Sequence, residues 1–339
     1  MQQISKIAVV GTGIMGAPIA GHLMDAGYDV TVYNRTRQKA EALLARGAHW
    51  ASTPGEAAAD ADVTFTMVGY PEDVEDVYLG ADGILAAARK GSYLIDLTTS
   101  SPVLAREIHD AAEVQDVHAF DCPVTGGQAG AEAGTLTLIA GASEADVEDV
   151  RDVLMTFGKE LFCFGEAGMG QLAKLCNQVS LASCMVGMAD AMALARQGGL
   201  DVAQMLQMVS GGMGRSCAIE QLAPKALAGD YEPGFLSEHM LKDLGMALAT
   251  AEDLELTLPG TQTAFGLYDL LCTTGGSRKG TQAITLLYED EATSTAAGLD
   301  WSALDADEDG GHDHECDCGH DHHHDHDHEC HCHDHGGEA

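Results

Sequence analysis

Three glycines follow an apolar strand pattern near the start of the chain, and their spacing restricts how this segment can fold. The run Lys6–Val10 (KIAVV) is mostly apolar and rich in β-branched residues, and Gly11, Gly13 and Gly16 come directly after it, where a helical pattern begins. In a strand–turn–helix unit the first glycine permits the bend, the second lets a ligand approach the backbone, and the third brings helix and sheet together. The spacing predicts a dinucleotide-binding turn with diphosphate at the helix amino terminus. An ordinary strand-to-helix bend is the alternative.

The chain divides into two parts that differ in their hydrophobic patterns. Through about residue 160, strand patterns such as DVTVYN, DVTFTMV and SYLIDLT alternate with helical patterns, which indicates an α/β fold with a doubly wound parallel sheet. Helical spacing then dominates segments 170–196, 201–209, 218–228, 238–253, 260–273 and 281–290. We predict a dinucleotide-binding domain over 1–165, an all-helical substrate and oligomerisation domain over 166–296, and a disordered tail over 297–339.

Charge and apolar patterning exclude several classes of partner. The formal net charge is −36, which argues against nucleic acid and anionic membranes because both would be repelled. The longest apolar stretch, 179–195, is interrupted by Asp190 and is typical of a buried helix rather than a membrane span. The first residues lack the features of a signal peptide, so we expect a cytoplasmic protein with reduced cysteines.

The end of the second strand pattern bears on the choice of cofactor. An NAD enzyme usually carries an acid there to bind the ribose hydroxyls, but this chain has Asn34, Arg35 and Thr36. Arg35 can pair with a 2′-phosphate, so NADP is favoured and NAD stays open. Alternatively, Arg35 is a solvated surface residue. The predicted cofactor site also includes Thr12, Ile14, Met15, Met67 and Val68.

A glycine-rich segment, DCPVTGG, is a candidate anion site. Successive backbone N–H groups of a glycine turn form a concavity that binds anions, and a threonine hydroxyl adds a donor. Thr125, Gly126 and Gly127 could therefore hold a substrate carboxylate. A plain strand-to-helix loop is the alternative.

Lys174 is the candidate proton-transfer group. It lies in an apolar helical segment, where burial should lower its pKa toward neutrality. Asn177 and Gln178 follow by three and four residues, so they share its helix face, and one of them can hold the substrate. A lysine that extends its ammonium to solvent is the alternative for this residue taken alone.

These motifs together resemble the β-hydroxyacid dehydrogenases, the group of 3-hydroxyisobutyrate dehydrogenase, tartronate semialdehyde reductase and glyoxylate or succinic semialdehyde reductases. The resemblance covers about residues 5–295. It is carried by GTGIMG, NRT, DLTTSSP, DCPVTGG with GAEAGTLT, the GMGQLAK lysine motif and LKDLGMAL. It implies a Rossmann-type domain followed by an all-α domain, a homodimer or homotetramer, and hydride transfer between nicotinamide and a small 3-hydroxy acid or its semialdehyde.

The resemblance also implies roles for individual residues. Lys174 matches the family's catalytic lysine, Thr125 to Gly127 match its substrate-binding Ser-Gly-Gly, Thr99 matches a cofactor-contacting Thr, and Lys242 matches a lysine near the nicotinamide. Thr125 replaces the usual Ser, and Gln178 stands where many members have a second Asn. An imine reductase-like enzyme is the runner-up, although the lysine and the glycine turn fit alcohol chemistry on a carboxylate better.

The last residues have a composition of their own. Residues 305–339 hold 11 of the 16 His, four of the ten Cys and 13 Asp or Glu. This density predicts binding of Zn or Ni without a fixed four-ligand site, and solubilisation of the chain is the alternative. A metal storage or delivery protein on a dehydrogenase-like scaffold is a further functional alternative. The candidate ligands are His312, His314, Cys316, Cys318, His320, His322, His323, His324, His326, His328, Cys330, His331, Cys332, His333 and His335.

Overall fold

A six-stranded parallel sheet forms the centre of the first half of the chain. The computed structural model describes residues 4–307. The strand order is β3-β2-β1-β4-β5-β6, the order of a Rossmann sheet, and the order reverses between β1 and β4. The strands are β1 Lys6–Val10, β2 Asp29–Tyr33, β3 His49–Trp50, β4 Val63–Thr66, β5 Tyr93–Asp96 and β6 His118–Asp121.

Both faces of this sheet are buried, as the sequence predicts. Ile7 and Val9 of β1 point into one apolar cluster, whereas Ala8 and Val10 point into another, because side chains alternate along a strand. The surrounding helices are α1 Gly16–Asp25, a 3-10 turn Arg37–Ala40, α2 Glu41–Ala45, α3 Pro54–Ala58, α4 Pro71–Leu79, α5 Ile84–Ala87 and α6 Pro102–Glu113.

A second, smaller sheet follows, which the sequence analysis did not predict. Its order is β7-β8-β9, and β7 pairs antiparallel with β8. Strand β7 has only two residues, too few to display an alternating pattern. The elements are β7 Val124–Thr125, α7 Gly127–Ala133, β8 Leu136–Ala140, α8 Glu144–Val147, a 3-10 turn Glu148–Val150, α9 Arg151–Leu154 and β9 Gly158–Cys163.

The remaining described residues are helical. Helix α10 has 29 residues and packs against α13, α14 and β8. It is long and apolar enough to cross a membrane by length and composition, but its contacts are those of a core helix. The elements are α10 Met169–Gln197, α11 Val202–Ser210, a π turn Ala218–Leu222, α12 Ala223–Leu227, α13 Ser237–Asp253, α14 Pro259–Leu271, a π turn Cys272–Gly276, a 3-10 helix Thr281–Tyr288, α15 Glu291–Ala296 and a 3-10 helix Trp301–Asp307.

Two details of the helical half differ from the sequence prediction. Residues 281–288 form a 3-10 helix rather than an α-helix, a distinction that side-chain periodicity resolves poorly in a short segment. Packing also continues beyond residue 297, the predicted start of the tail: Leu299 is buried, and Trp301 Nε1 donates to Ser294 Oγ at 2.8 Å. The helical core therefore extends into the segment predicted to belong to the tail.

Candidate active site

The glycine turn after β1 has the geometry that a dinucleotide needs. An added Cβ at Gly11 would lie 2.2 Å from Met67 O, and one at Gly16 would lie 1.9 Å from Gly11 O, so both positions exclude larger residues. At Gly13 an added Cβ would meet nothing within 4 Å, which leaves the backbone open to a ligand. Thr12 Oγ1 is buried without a hydrogen-bond partner among the described residues. The turn thus offers an open backbone and an unused polar atom to a diphosphate.

The loop after β2 is hydrogen-bonded to this glycine turn. Thr12 N donates to Asn34 Oδ1 at 3.0 Å, and Asn34 Nδ2 donates to Thr36 O at 2.8 Å. Arg35 is largely exposed, with Nη1 3.1 Å from Asp73 Oδ1 at the start of α4. The guanidinium of Arg37 lies 4.8 Å from the centre of the Trp50 ring. The loop therefore brings cations to the carboxyl edge of the sheet, where a dinucleotide would place its adenosine ribose.

Four predicted cofactor residues meet at the carboxyl ends of β4 and β5. Met67 and Val68 follow β4, and Val68 N donates to Thr98 Oγ1 at 3.0 Å. From α13, Lys242 Nζ donates to Thr99 O at 2.7 Å and to Gly69 O at 3.1 Å. Lys242 therefore joins the helical half of the molecule to the loops that follow β4 and β5.

Lys174 lies in the second turn of α10 and is buried, with 7% of its surface exposed. Its Nζ makes no hydrogen bond or ion pair with the described residues. The pKa of Lys174 is lowered to about 8, chiefly because burial disfavours the ammonium. The Asp243 carboxylate opposes this shift, and the Lys242 ammonium adds to it. The amine can therefore exchange a proton near neutral pH.

Asp243 is a site residue that the sequence analysis missed. It is buried on α13 and accepts a hydrogen bond from Gln178 Nε2 at 2.6 Å. Its other oxygen lies 3.2 Å from Lys242 Nζ, but in a geometry that makes no hydrogen bond. The only sequence signal was its place beside Lys242, because its partner Gln178 lies 65 residues away.

The structure separates the roles available to the two amides after Lys174. Gln178 is buried, and both ends of its amide are engaged: Nε2 donates to Asp243, and Oε1 accepts from Asn177 Nδ2 at 2.8 Å. Asn177 is only half-buried and keeps its own amide oxygen unbonded among the described residues. Asn177 is thus the amide with free capacity for a substrate, while Gln178 holds Asp243.

The predicted carboxylate turn has two consecutive glycines in left-handed backbone conformations. The φ angles are +133° at Gly126 and +61° at Gly127, values that L residues with side chains rarely adopt. An added Cβ at Gly127 would lie 3.5 Å from Gly234 O, so the turn faces the segment that leads into α13. This conformation exposes successive N–H groups in the way that anion-binding turns do.

The buried carboxylate of Asp121 links the turn at residues 125–127 to α10, the helix that carries Lys174. Asp121, four residues before Thr125, accepts hydrogen bonds of 2.6 Å from Gly168 N and Gln171 N at the start of α10. The Gln171 side chain in turn accepts from Ser100 N at 2.9 Å and donates to Thr98 O at 2.7 Å. Neither residue had an assigned role in the sequence analysis. Together they fix the helix that carries Lys174 to β6 and to the loop after β5.

A second buried carboxylate, Asp96, lies beside Asp121 at the end of β5. Its Oδ1 accepts from Thr98 N at 3.0 Å. Burial raises the pKa of Asp96 to about 7, the bonds from Thr98 oppose that shift, and the charge of Asp121 adds to it. The loop that carries Thr99 is therefore held by a carboxyl group that titrates near neutral pH.

The predicted metal ligands of the tail, His312 to His335, lie outside the described residues. Between residues 4 and 307, no group of three or more His, Cys, Asp or Glu side chains is arranged to hold a metal ion.

Two family models match the chain. Residues 6–165 match the NAD binding domain of 6-phosphogluconate dehydrogenase, and residues 168–288 match a model described as NAD-binding of NADP-dependent 3-hydroxyisobutyrate dehydrogenase. These two ranges meet at the start of α10, the element that carries Lys174.

Individual proteins are similar along most of the length. The chain is 42% identical over 286 residues to the probable 3-hydroxyisobutyrate dehydrogenase-like 1, mitochondrial, of Arabidopsis thaliana, covering 84% of this chain and 85% of that protein. It is 34% identical to the NAD-dependent L-serine dehydrogenase of Pseudomonas aeruginosa, covering 84% and 98%. The solved structure of Mycobacterium tuberculosis 3-hydroxyisobutyrate dehydrogenase with L-serine superposes with a TM-score of 0.77 at 32% identity, covering 84% and 98%. By these matches the chain belongs to the β-hydroxyacid dehydrogenase family and is a hydroxyacid dehydrogenase that uses NAD(P).

Proposed function

We propose that this enzyme prefers NADP and interconverts a small 3-hydroxy acid with its semialdehyde, with Lys174 as the proton-transfer group. The observation that carries the proposal is the buried amine, with a pKa lowered to about 8, on a helix that is hydrogen-bonded to the end of β6 and to the loop after β5. A lysine that extended its ammonium to solvent would be neither buried nor shifted in this direction.

The residues around the first glycine turn fit a dinucleotide. Gly13 leaves the backbone open, and Thr12 Oγ1 has no partner among the described residues. Hydride transfer is the chemistry that a bound nicotinamide would supply. Lys242, with its ammonium between Gly69 O and Thr99 O, would position the loops on the nicotinamide side.

The protein's own residues perform the remaining steps of the proposed mechanism. The N–H groups of Gly126 and Gly127 and the Thr125 hydroxyl bind the substrate carboxylate. In oxidation, the neutral amine of Lys174 removes the proton of the 3-hydroxyl; in reduction, its ammonium returns a proton to that oxygen. The amide of Asn177 orients the substrate, and Asp243 stabilises the ammonium form of Lys174. Holding the substrate at both ends converts the reaction into an effectively unimolecular step.

The preference for NADP is supported by the residues after β2. Asn34 stands where an acid would bind the ribose hydroxyls, and its side chain is already committed to Thr12 N and Thr36 O. Arg35 pairs with Asp73 across the edge where the 2′-phosphate would lie, and its exposure leaves it free to exchange that partner for a phosphate.

Replacing Lys174 by Ala tests the proposed chemistry. Turnover should fall by roughly 10²- to 10⁴-fold, the usual contribution of a positioned general acid or base, while the Kd for NADPH changes little. Lys159→Ala, which removes an exposed lysine from β9, is the matched control and should retain activity. Wild-type-like turnover in Lys174→Ala, measured with enzyme verified as folded, would exclude the proposed role.

The chain is further proposed to assemble as a homodimer or homotetramer. Large apolar side chains remain exposed on the helical half, among them Leu194, Leu200, Met208 and Met213. Exposed apolar residues of this size favour burial in a subunit interface. Sedimentation velocity at several concentrations measures the assembly directly.

A further inference from the structure

One side chain on the wall of the proposed substrate site has no role in the function described above. His239 lies on α13, three residues before Lys242 and four before Asp243, so the three share one face of the helix. Lys242 on this face reaches the loops after β4 and β5, and Asp243 acts on Lys174. The face is therefore the one that α13 turns toward the reacting groups.

His239 lies between the two anchors proposed for the substrate. The chain enters α13 beside the carboxylate turn, where Gly234 O lies 3.5 Å from a Cβ added at Gly127. Less than three helical turns later, α13 places Asp243 where its carboxylate acts on the Lys174 amine. In a 3-hydroxy acid, carbon 2 lies between the carboxylate and the reacting carbon. A substrate held at both anchors would therefore have its carbon 2 at the level of His239.

The imidazole has hydrogen-bonding capacity that the described residues do not use. The ring is half-buried between aromatic side chains. The centre of the Tyr70 ring lies 5.8 Å away, with the two ring planes at 82°, and the centre of the Phe235 ring lies 6.2 Å away. Neither ring nitrogen hydrogen-bonds to another residue between 4 and 307. Burial, and then the Lys242 ammonium, lower the pKa of His239, which favours the uncharged form of the ring. A half-buried polar group in this state is stabilised by a ligand that hydrogen-bonds to it.

We propose that His239 recognises the substituent on carbon 2 of the substrate and selects a 3-hydroxy acid that carries an uncharged hydroxyl there. The inference rests on the proposed function. A methyl group at carbon 2 would leave the imidazole unpaired against an apolar surface, which is unfavourable. An ammonium group there would lie close to the Lys242 ammonium, which acts on His239 from the same helix face and would repel it.

Four acids that differ only at carbon 2 test this selectivity. Glycerate carries a hydroxyl, 3-hydroxyisobutyrate a methyl, serine an ammonium, and 3-hydroxypropionate only hydrogen. We would measure kcat/KM for their oxidation, with saturating NADP, in the wild type, His239→Phe and His239→Gln. Phenylalanine keeps the aromatic packing with Tyr70 and Phe235 but removes both nitrogens, whereas glutamine keeps a hydrogen-bonding group.

The wild type should prefer glycerate. In His239→Phe, kcat/KM for glycerate should fall about tenfold, the loss expected for one hydrogen bond, while 3-hydroxypropionate changes less than about twofold. His239→Gln should restore part of the glycerate value. An equal loss for all four acids, or an unchanged ratio of glycerate to 3-hydroxypropionate, overturns the selectivity and leaves the proposed function standing. Absence of turnover with every acid in the wild type overturns the proposed function and this inference with it.

Discussion

Replacing Asp243 by Asn should shift the pH dependence of the enzyme toward lower pH. Asp243 is the charge that opposes the lowering of the Lys174 pKa, so neutralising it removes a stabilising partner of the ammonium. The asparagine amide of the Asp243→Asn variant would keep an acceptor for the 2.6 Å hydrogen bond from Gln178 Nε2, which separates the effect of charge from that of packing. An opposite charge close to a titrating group shifts its pKa by about one unit or more, equivalent to about 1.4 kcal/mol.

The direction follows from the protonation state that each reaction needs. Oxidation requires the neutral amine, so kcat/KM for oxidation rises through the wild-type pKa of about 8. In Asp243→Asn the rise should occur about one pH unit lower. Reduction requires the ammonium, so its kcat/KM should begin to fall about one pH unit earlier as the pH increases.

The assay is a pair of pH profiles at saturating cofactor, with oxidation and reduction followed by absorbance of the reduced nicotinamide. Glu238→Gln is the matched control: it removes a carboxylate from the same helix, but one that pairs with Arg278 and does not act on Lys174. An unmoved midpoint in Asp243→Asn, or a midpoint displaced to higher pH, would refute the electrostatic coupling between Asp243 and Lys174.

Three further outcomes are expected. Arg35→Ala should lower the ratio of NADPH to NADH kcat/KM by at least about tenfold through loss of a charged hydrogen bond, whereas Lys90→Ala, at the opposite edge of the sheet, should not; an unchanged ratio defeats the assignment. Asp121→Ala should lower the free energy of unfolding in urea by about 2–4 kcal/mol because two buried N–H groups lose their acceptor, against less than about 0.5 kcal/mol for the exposed Asp110→Ala. Deleting residues 308–339 should abolish Zn or Ni uptake, measured by equilibrium dialysis, and leave turnover unchanged; lost turnover would make metal part of the activity.

Local signals explain what the sequence predicted correctly. The spacing of Gly11, Gly13 and Gly16 directly after β1 is a local constraint, and the structure gives each glycine the environment that its position implies. The burial of Lys174 also followed from its own helix, because apolar residues surround it in sequence. The parallel sheet followed from strand patterns that alternate with helices.

The missed features depend on contacts between distant parts of the chain. Asp121 can accept hydrogen bonds from Gly168 N and Gln171 N only because β6 ends beside the start of α10. These two donors lie 47 and 50 residues after Asp121 in the sequence. The engagement of Gln178 with Asp243 likewise depends on how α10 and α13 pack. The sequence placed Asn177 and Gln178 on the face of Lys174 but had no means of deciding which amide is committed within the protein.

The position of Lys174 and the charges that act on it are set by two different parts of the structure. The start of α10 is held by Asp121 at the end of β6 and by the bond from Gln171 to Thr98 O in the loop after β5. Asp243 and Lys242, the two charges that adjust its pKa, both lie on α13. Lys242 also bonds to the loops after β4 and β5, so the seating of α13 against those loops determines where both charges lie relative to the amine. The pKa of Lys174 is therefore a property of the assembled cleft, and any change that lifts α13 from the loops alters the proton affinity of the amine without touching it.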